Sequence, residues 1–321
     1  MTVKPEFAPP PFRPPPWLRN PHLQTLVAAR KPRRWAYGWT RAERVEFDLG
    51  REGRLVGMSR KAFSRGFHTI RINTRNCGGT EHLTPTLYCA GLSQDVGRIV
   101  GQLLDRFGVE RIYSAGVSLG ANILLKFLGE QGEKGPALIR GAAVLSPPID
   151  LAAGVRKMEL AGNWIYQRYF VGRLIERMRR KAALFPGIAD MSRVERVRTI
   201  YEFDDVVTAP HFGFGSADNY YRLASCGPLL RQIRTPTLIV QAEDDPLIPF
   251  EPFVRAGIER SPHITLLATR HGGHTGFYAP GRVPPGDLDP YWGESRAVQF
   301  LSELEARRFA GRERTTDFDW G

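Results

Sequence analysis

The pentapeptide Gly-Val-Ser-Leu-Gly at residues 116–120 is the sequence feature that most constrains the fold of this chain. An apolar run at 111–115 precedes it, and a helix-prone run at 121–128 follows it. A G-x-S-x-G turn between a strand and a helix holds its serine in a strained conformation that exposes the hydroxyl as a nucleophile. The same pattern also arises by chance in ordinary tight turns, but this context favours a nucleophilic Ser118. We expect side chains at both glycines of the turn to collide with neighbouring backbone.

A nucleophilic serine needs a histidine to take its proton and a carboxylate to orient that histidine. After such a turn the chain order is acid, then histidine, each on a loop that follows a later strand. Two such loops exist here, Glu-Asp-Asp-Pro and His-Gly-Gly-His. Asp245 is the preferred acid because the prolines after it fix a turn, and Asp244 is interpreted as a solvated neighbour. His274 is the preferred base because the glycines around it let backbone closely approach the turn at residues 116–120, which we call the elbow. His271 is interpreted as a structural contact.

Buried strands alternate with helices over most of the chain. Apolar runs predict strands at 44–49, 67–73, 141–146, 237–242 and 264–267, and helical spacing predicts helices around 92–104 and 297–304. This alternation implies an α/β fold with a mostly parallel, doubly wound sheet. The acid and histidine loops follow the last two strands, at the carboxyl edge where α/β sites are built.

Hydrophobic patterning divides the chain into four regions. Residues 1–40 are predicted to form an arm, 41–148 and 231–306 the core, 149–230 a helical cap and 307–321 a polar tail. The arm is rich in aromatic residues and in proline, which disfavours a helix there. We expect it to pack Trp17, Leu18 and Leu23 on the main domain, because these side chains are costly to expose to water. The cap contains an amphipathic helix with one apolar and one arginine-rich side. It is interpreted as a cover over the active site, with peripheral contact to an acidic membrane as the alternative.

The net charge of the chain is +12 and its isoelectric point is about 9.9. The basic excess is scattered and no recognition module is evident, so no nucleic-acid partner is expected. Cys77, Cys89 and Cys226 show neither a disulfide framework nor zinc spacing, and we expect no metal or other cofactor. Without a secretory h-region or a run of about 20 apolar residues, the chain is predicted to be cytoplasmic.

Several segments together resemble the YheT-like subgroup of α/β-hydrolases, esterases predicted from sequence whose relatives include lipid hydrolases and acyltransferases. The matching segments are P-P-P-W-L-R-N-P-H-L-Q-T at 14–25, R-N-C-G-G-T-E at 75–81, L-T-P-T-L-Y at 83–88, G-V-S-L-G-A-N at 116–122, D-D-P at 244–246 and H-G-G-H-T-G-F at 271–277. The resemblance implies an α/β-hydrolase fold with Ser118 as nucleophile, Asp245 as acid and His274 as base. This agrees with the assignment from spacing and turn chemistry.

The chain departs from that subgroup after Gly57. Its members carry there a central strand that ends in an H-G-L-x-G-like loop, whereas here residues 54–57 run directly into the helix-like segment 58–63. The strand would lie beside the elbow strand, and its loop would supply one oxyanion donor, the other being the backbone N–H of Leu119. Three explanations stay open: a sequence that lacks a segment, a paralogue that has lost activity, or a rearranged sheet in which Gly78 or Gly79 donates to the oxyanion.

The predicted function is cofactor-independent hydrolysis of carboxylic (acyl) esters through an acyl-enzyme on a Ser-Asp-His triad. The expected partner is a small acyl ester or lipid, and acyl transfer to an alcohol is a close variant. Four aromatic residues are candidates for lining an acyl pocket, although each one can equally serve cap packing: Trp164, Tyr166, Tyr169 and Phe170. The alternative is a catalytically impaired scaffold that binds a partner or lipid through its cap and basic face.

Overall fold

In the described part of the chain, four parallel strands form the sheet, in the order β1-β2-β3-β4. The computed structural model describes residues 7–30, 53–77 and 79–313, and their side chains except at 53–57 and 308–313. The strands are β1 (Tyr113–Val117), β2 (Gly141–Leu145), β3 (Thr237–Ala242) and β4 (Ile264–Thr269). Consecutive strands pair in parallel, with Val117 opposite Leu145 and Leu145 opposite Val240. Their carboxyl ends therefore meet at one edge of the sheet.

The helices fall into three groups along the chain. Before β2 come α1 (Pro21–Arg30), α2 (Gly53–Phe63), α3 (Ser93–Asp105), α4 (Leu119–Gln131) and α5 (Gly135–Leu138). Between β2 and β3 lie α6 (Leu151–Met158), α7 (Trp164–Leu184), α8 (Met191–Val194), α9 (Ile200–Phe203), α10 (Ala209–His211) and α11 (Ala217–Ala224). After β3 come α12 (Glu251–Ala256) and α13 (Trp292–Glu313). We call the helical segment between β2 and β3 the insertion.

Helices cover both faces of the sheet. Val144 and Ile239 pack on one face against a cluster that includes α3 and α4. Leu145 and Val240, their neighbours in the strands, pack on the other face with Val298 of α13. Side chains of a strand point to opposite faces in turn, so both faces are buried and the strands read as continuous apolar runs. The predicted doubly wound arrangement is confirmed.

The strands predicted at 141–146, 237–242 and 264–267 are confirmed, the last extending to Thr269, and the elbow strand is β1. The strand predicted at 67–73 is wrong: this segment has no strand assignment, and Ile70 and Ile72 are exposed. Within the described residues β1 pairs with β2 alone, and Ala115 in its middle is exposed. A strand between β1 and residues 67–73 would have formed hydrogen bonds with both. The unpaired edge of β1 and the exposed isoleucines therefore match the absence of the central strand inferred from the sequence. The strand predicted at 44–49 lies outside the described residues.

The two ends of the described chain correct the sequence-based expectations. The arm does contain a helix, α1, because residues 22–30 contain no proline and a proline such as Pro21 is tolerated in the first helical turn. In the arm Leu18 is buried, but Trp17 and Leu23 are exposed. Helix α13 continues to Glu313, so the region interpreted as a polar tail begins as helix. No helix in the described part of the chain combines the length and apolar character needed to cross a membrane.

Candidate active site

Ser118 occupies the sharp turn between β1 and α4. Its φ of 51° and ψ of −121° lie outside the regions that non-glycine residues usually adopt. The turn is held by a hydrogen bond from the Ser118 N–H to the Leu145 carbonyl (2.9 Å) and by one from the Ala121 N–H to the Ser118 carbonyl (2.9 Å). The strain is thus imposed by the strand on one side and the helix on the other, as expected where a serine is held for chemistry.

The two glycines of this turn have different roles. A Cβ on Gly116 would lie 2.8 Å from the Ala121 Cα and 2.9 Å from the Gly120 carbonyl oxygen, so any side chain there would push the helix away from the strand. A Cβ on Gly120 would meet nothing within 4 Å. The expected collision is confirmed at Gly116 and wrong at Gly120, because Gly120 lies on the exposed side of the first turn of α4.

Ser118, His274 and Asp245 are joined by two hydrogen bonds. The Ser118 Oγ lies 2.9 Å from the His274 Nε2, and the His274 Nδ1 lies 2.9 Å from the Asp245 Oδ2. Asp245 is fully buried and His274 is 8% exposed, so both bonds are largely shielded from water. The histidine can take the serine proton through one nitrogen while the carboxylate orients the ring through the other.

The turn after β3 surrounds the Asp245 carboxylate with donors. Its Oδ1 accepts hydrogen bonds from the backbone N–H groups of Leu247 (2.9 Å) and Ile248 (3.0 Å). Its Oδ2 accepts a longer one from the Gln241 side chain (3.4 Å) beside the His274 contact. A buried charge is tolerated only with such partners, and here they also fix the direction in which the carboxylate points.

The neighbouring acid and histidine form a second, separate pair. Asp244 accepts a 2.9 Å hydrogen bond from the Gly273 N–H, and its other oxygen lies 3.2 Å from the His271 Nδ1. The interpretation of Asp244 as a solvated neighbour is wrong, since its side chain is only 18% exposed and burial raises its pKa. The pair binds the His274 loop to the Asp245 loop without contacting Ser118.

Helix α1 of the arm supports the histidine loop, which sequence reasoning missed. The His274 N–H donates a 2.8 Å hydrogen bond to the Thr25 Oγ1. A Cβ on Gly273 would lie 2.4 Å from the Pro21 carbonyl oxygen, and one on Gly276 would lie 2.8 Å from the Gln24 carbonyl oxygen. The glycines do admit close backbone, as predicted, but that backbone is α1 rather than the elbow. The only signal for Thr25 in the sequence is that it is the last residue of segment 14–25, one of the segments that resemble the YheT-like subgroup.

The insertion supports the acid loop from the other side. The Asn163 side-chain amide donates to the carbonyls of Pro246 (2.8 Å) and Lys157 (2.9 Å), and Lys157 itself reaches the acid loop. Tyr166 is buried near Thr25, with its hydroxyl 3.2 Å from the His22 Nδ1. No motif in the sequence marks these residues, because a lysine, an asparagine and a tyrosine in a helical region usually face solvent or pack.

The backbone N–H of Leu119 is the first of α4 and has no acceptor among the described residues, as is usual in a first helical turn. It lies next to Ser118, where an oxyanion donor belongs. Of the two glycines considered as a second donor, Gly79 has a φ of +88° with open space around it, and Gly78 lies outside the described residues. On the side of β1 away from β2, the described part of the chain contains no strand that could supply a second donor.

The four aromatic residues considered for an acyl pocket separate into two sets. Tyr166 faces inward, whereas Trp164, Tyr169 and Phe170 are exposed. Trp164 also lines a groove of about 940 Å³ between α7 and α9, together with Gln167, Val171, Ile175 and Tyr201. None of the three hydrogen-bonded residues lines this groove. It is therefore a feature of the insertion and not the space in front of Ser118.

Comparison with known proteins identifies relatives over most of the chain. The model of a family described as "Alpha/beta hydrolase family" matches residues 34–283. The Escherichia coli (strain K12) protein "Putative esterase YheT" is 32% identical over 254 residues, which cover 78% of this chain and 73% of that protein. A monoacylglycerol lipase of Saccharomyces cerevisiae is 30% identical over 241 residues (70% of this chain, 53% of the lipase). Phospholipase ABHD3 of Homo sapiens is 28% identical over 228 residues (71% and 55%). This chain therefore spans about half the length of the two eukaryotic relatives.

Proposed function

Because this chain belongs to the alpha/beta hydrolase family, we propose that it is a serine hydrolase that cleaves carboxylic (acyl) esters. The resemblance to the YheT-like subgroup is confirmed by the match to the Escherichia coli protein. The proposed triad is Ser118, His274 and Asp245. The observation that carries it is the pair of 2.9 Å hydrogen bonds that joins these side chains at a strained strand-to-helix turn.

The proposed reaction has two halves, the formation of an acyl-enzyme and its hydrolysis. His274 accepts the Ser118 proton as the oxygen attacks the acyl carbonyl, and Asp245 stabilises the imidazolium that forms. The Leu119 N–H stabilises the negative charge on the carbonyl oxygen. The imidazolium then gives its proton to the leaving alcohol, which leaves an acyl-enzyme. Water, deprotonated by His274, then attacks the carbonyl carbon of the acyl-enzyme. The bond from that carbon to the Ser118 Oγ breaks, the imidazolium returns its proton to the Oγ, and the acid leaves.

The proposed substrates are acyl esters with an apolar acyl group, including lipids. Support comes from the names of the relatives, an esterase, a monoacylglycerol lipase and a phospholipase. We propose that residues 149–230 cap a core formed by 41–148 and 231–306. Support for a cap is that Asn163 and Tyr166 of the insertion reach the acid loop and the arm helix next to the triad.

A catalytically impaired scaffold is the second candidate, favoured by one observation. In the described residues β1 has a free edge on the side where a neighbouring strand would bring the second oxyanion donor. Loss of one such donor typically lowers the rate by about 10²–10³. A chain with an intact triad and one donor would still react with a strong electrophile.

A fluorophosphonate probe on the purified full chain tests the proposal, because it reports an activated serine without requiring a known substrate. We expect labelling that Ser118→Ala abolishes and that Ser114→Ala, a matched change inside β1, leaves unchanged. Hydrolysis of p-nitrophenyl esters from acetate to laurate then gives the acyl preference, and added alcohol reveals acyl transfer. A folded protein that is labelled but hydrolyses none of these esters would favour the impaired scaffold, and one that is not labelled would contradict an activated Ser118 altogether.

A further inference from the structure

A cluster of large apolar side chains is exposed where the arm meets the insertion. Six side chains that are 45–62% exposed form what we call the apolar rim: Trp17, Leu23, Leu160, Trp164, Ile165 and Tyr169. Four of them fall within ten consecutive residues of the insertion, and the other two flank His22 in the arm. Isolated exposed apolar residues are common, but a group of this size on a soluble surface marks an interaction site.

The two halves of the rim are held together by one contact. The rings of His22 and Tyr166 stack with centroids 5.8 Å apart and an interplanar angle of 17°, and His22 Nδ1 lies 3.2 Å from the Tyr166 hydroxyl. Trp164 and Ile165 immediately precede Tyr166 on α7, and Leu23 follows His22 on α1. This contact therefore brings together the arm and insertion segments that carry the rim side chains.

The rim borders the proposed active site. Thr25, less than one turn along α1 from His22, accepts the hydrogen bond from the His274 N–H. Asn163, immediately before Trp164, binds the carbonyl of Pro246, which follows Asp245. Residues next to the rim in sequence therefore contact both loops that carry the triad, and a partner docked on the rim would lie close to Ser118.

The charges at the rim indicate an anionic partner. Arg19 and Arg168 are exposed between rim residues, and neither has a carboxylate partner among the described residues. Farther along α7, by contrast, Arg173 and Arg180 pair with Glu176. Tryptophan and tyrosine with an apolar body and a polar atom favour the interface between lipid tails and headgroups, and unpaired arginines favour anionic headgroups.

We propose that the apolar rim docks the protein on an anionic lipid surface, with its aromatic side chains at the headgroup level. The proposal deepens the proposed function, because it makes the substrate an ester presented by a lipid aggregate rather than one free in water. Docking itself requires no catalysis. It can therefore be tested separately from the serine chemistry, in a protein with no nucleophile.

The test measures partition of the full-length Ser118→Ala protein onto vesicles of phosphatidylcholine alone or with 30% phosphatidylglycerol. We expect binding to the anionic vesicles that weakens but persists in 0.5 M salt, with a blue shift of tryptophan emission. Replacing Trp164, Ile165 and Tyr169 by serine should lower partition by about tenfold or more. Replacing Arg168 by glutamine should lower it by about fivefold on anionic vesicles only.

Serine at two exposed apolar positions outside the rim, Val254 and Leu288, is the matched control and should leave partition unchanged. Thermal melts of all variants establish that each one is folded. Equal partition of the rim variant and the control would overturn the proposal. So would a rim-dependent dimer on gel filtration that binds no vesicles, since the surface would then join two copies of this chain. Fluorophosphonate labelling of the Ser118 protein is unaffected by either outcome, so the two proposals fail separately.

Discussion

The Lys157 ammonium donates a 2.6 Å hydrogen bond to the backbone carbonyl of Asp245. A second, longer bond of 3.4 Å reaches the carbonyl of Ile248, at the end of the same turn. Lys157 lies on α6 of the insertion, so the insertion holds the backbone that aims the proposed acid. Burial lowers the pKa of Lys157, and the nearby Asp245 charge partly opposes that shift. The bond is therefore a positioning contact that is strongest while the lysine is protonated.

We expect Lys157→Met to lower kcat by about tenfold or more with a smaller effect on KM, because the buried carbonyls lose a charged donor and the acid loop relaxes. A hydrogen bond of this kind contributes about 1.5–3 kcal/mol. Lys126→Met is the control, since Lys126 pairs with Glu130 on the same helix, far along α4 from Ser118. Ester hydrolysis and thermal melts measure the two effects, and unchanged kcat in a folded Lys157→Met protein would exclude the positioning role.

The direction of the Lys157 pKa also predicts an alkaline limb of activity. As pH rises through that lowered pKa, below the usual 10.5, the ammonium loses its proton and the bond to Asp245 weakens. Activity should therefore fall in the wild-type chain before the pH reaches the ordinary lysine range, while Lys157→Met should lack this fall. The profile of kcat against pH distinguishes this from a purely structural role, which would lower activity equally at every pH.

The two glycines of the elbow give a matched pair of substitutions. Gly116→Ala should cost several kcal/mol and abolish probe labelling, because its Cβ would meet α4 backbone at 2.8 Å. Gly120→Ala should leave labelling intact and raise stability by up to about 1 kcal/mol, since alanine favours a helix and the site has room. Chemical denaturation and labelling of both variants check this. A tolerated Gly116→Ala would mean that the turn is looser than its geometry indicates.

Asp204 makes the stability of the insertion depend on pH. Burial raises its pKa from 3.8 to about 6, and its carboxylate contacts the Thr208 and Tyr221 hydroxyls. Because the folded protein holds this proton more tightly than the unfolded one, the contribution of Asp204 to stability is complete below pH 4 and is lost as pH rises through 6. Asp204→Asn should flatten the fall in the free energy of unfolding over that window. The exposed Asp218→Asn should leave the fall unchanged.

The sequence predicted the parts of this molecule that local patterns determine. Strands β2 and β3 are buried on both faces and so appear as continuous apolar runs, and Asp245 and His274 stand directly after strands. Lys157 and Thr25 were missed because their side chains contact backbone groups 88 and 249 residues away. Such backbone groups occur along the whole chain, so the sequence does not indicate which of them a side chain will bind. The segment 67–73 was misread because strand-like alternation cannot show whether a pairing partner exists.

The edge of β1 that pairs with no described strand leads to the last prediction. Phe67 packs edge-on against Tyr113 at the start of β1, with ring centroids 5.6 Å apart, yet Ile70 and Ile72 beyond it are exposed. A strand placed between β1 and residues 67–73 would pair with both and bury these isoleucines. We therefore expect that inserting an apolar strand with an H-G-L-x-G-like loop between Gly57 and Met58 will raise the melting temperature. It should also raise kcat by about 10²–10³, because the loop adds the second oxyanion donor.

A Gly/Ser insert of the same length is the control: it interrupts α2 at the same point without supplying a strand or a donor, so it should raise neither quantity. A gain in melting temperature without a gain in kcat would mean that the sheet is completed but the oxyanion is stabilised otherwise, as in a rearranged sheet. No gain in either, with a cooperative melt of the present chain, would mean that β1 is stable as an edge strand. In that case the activity of the present chain is the activity of a complete fold.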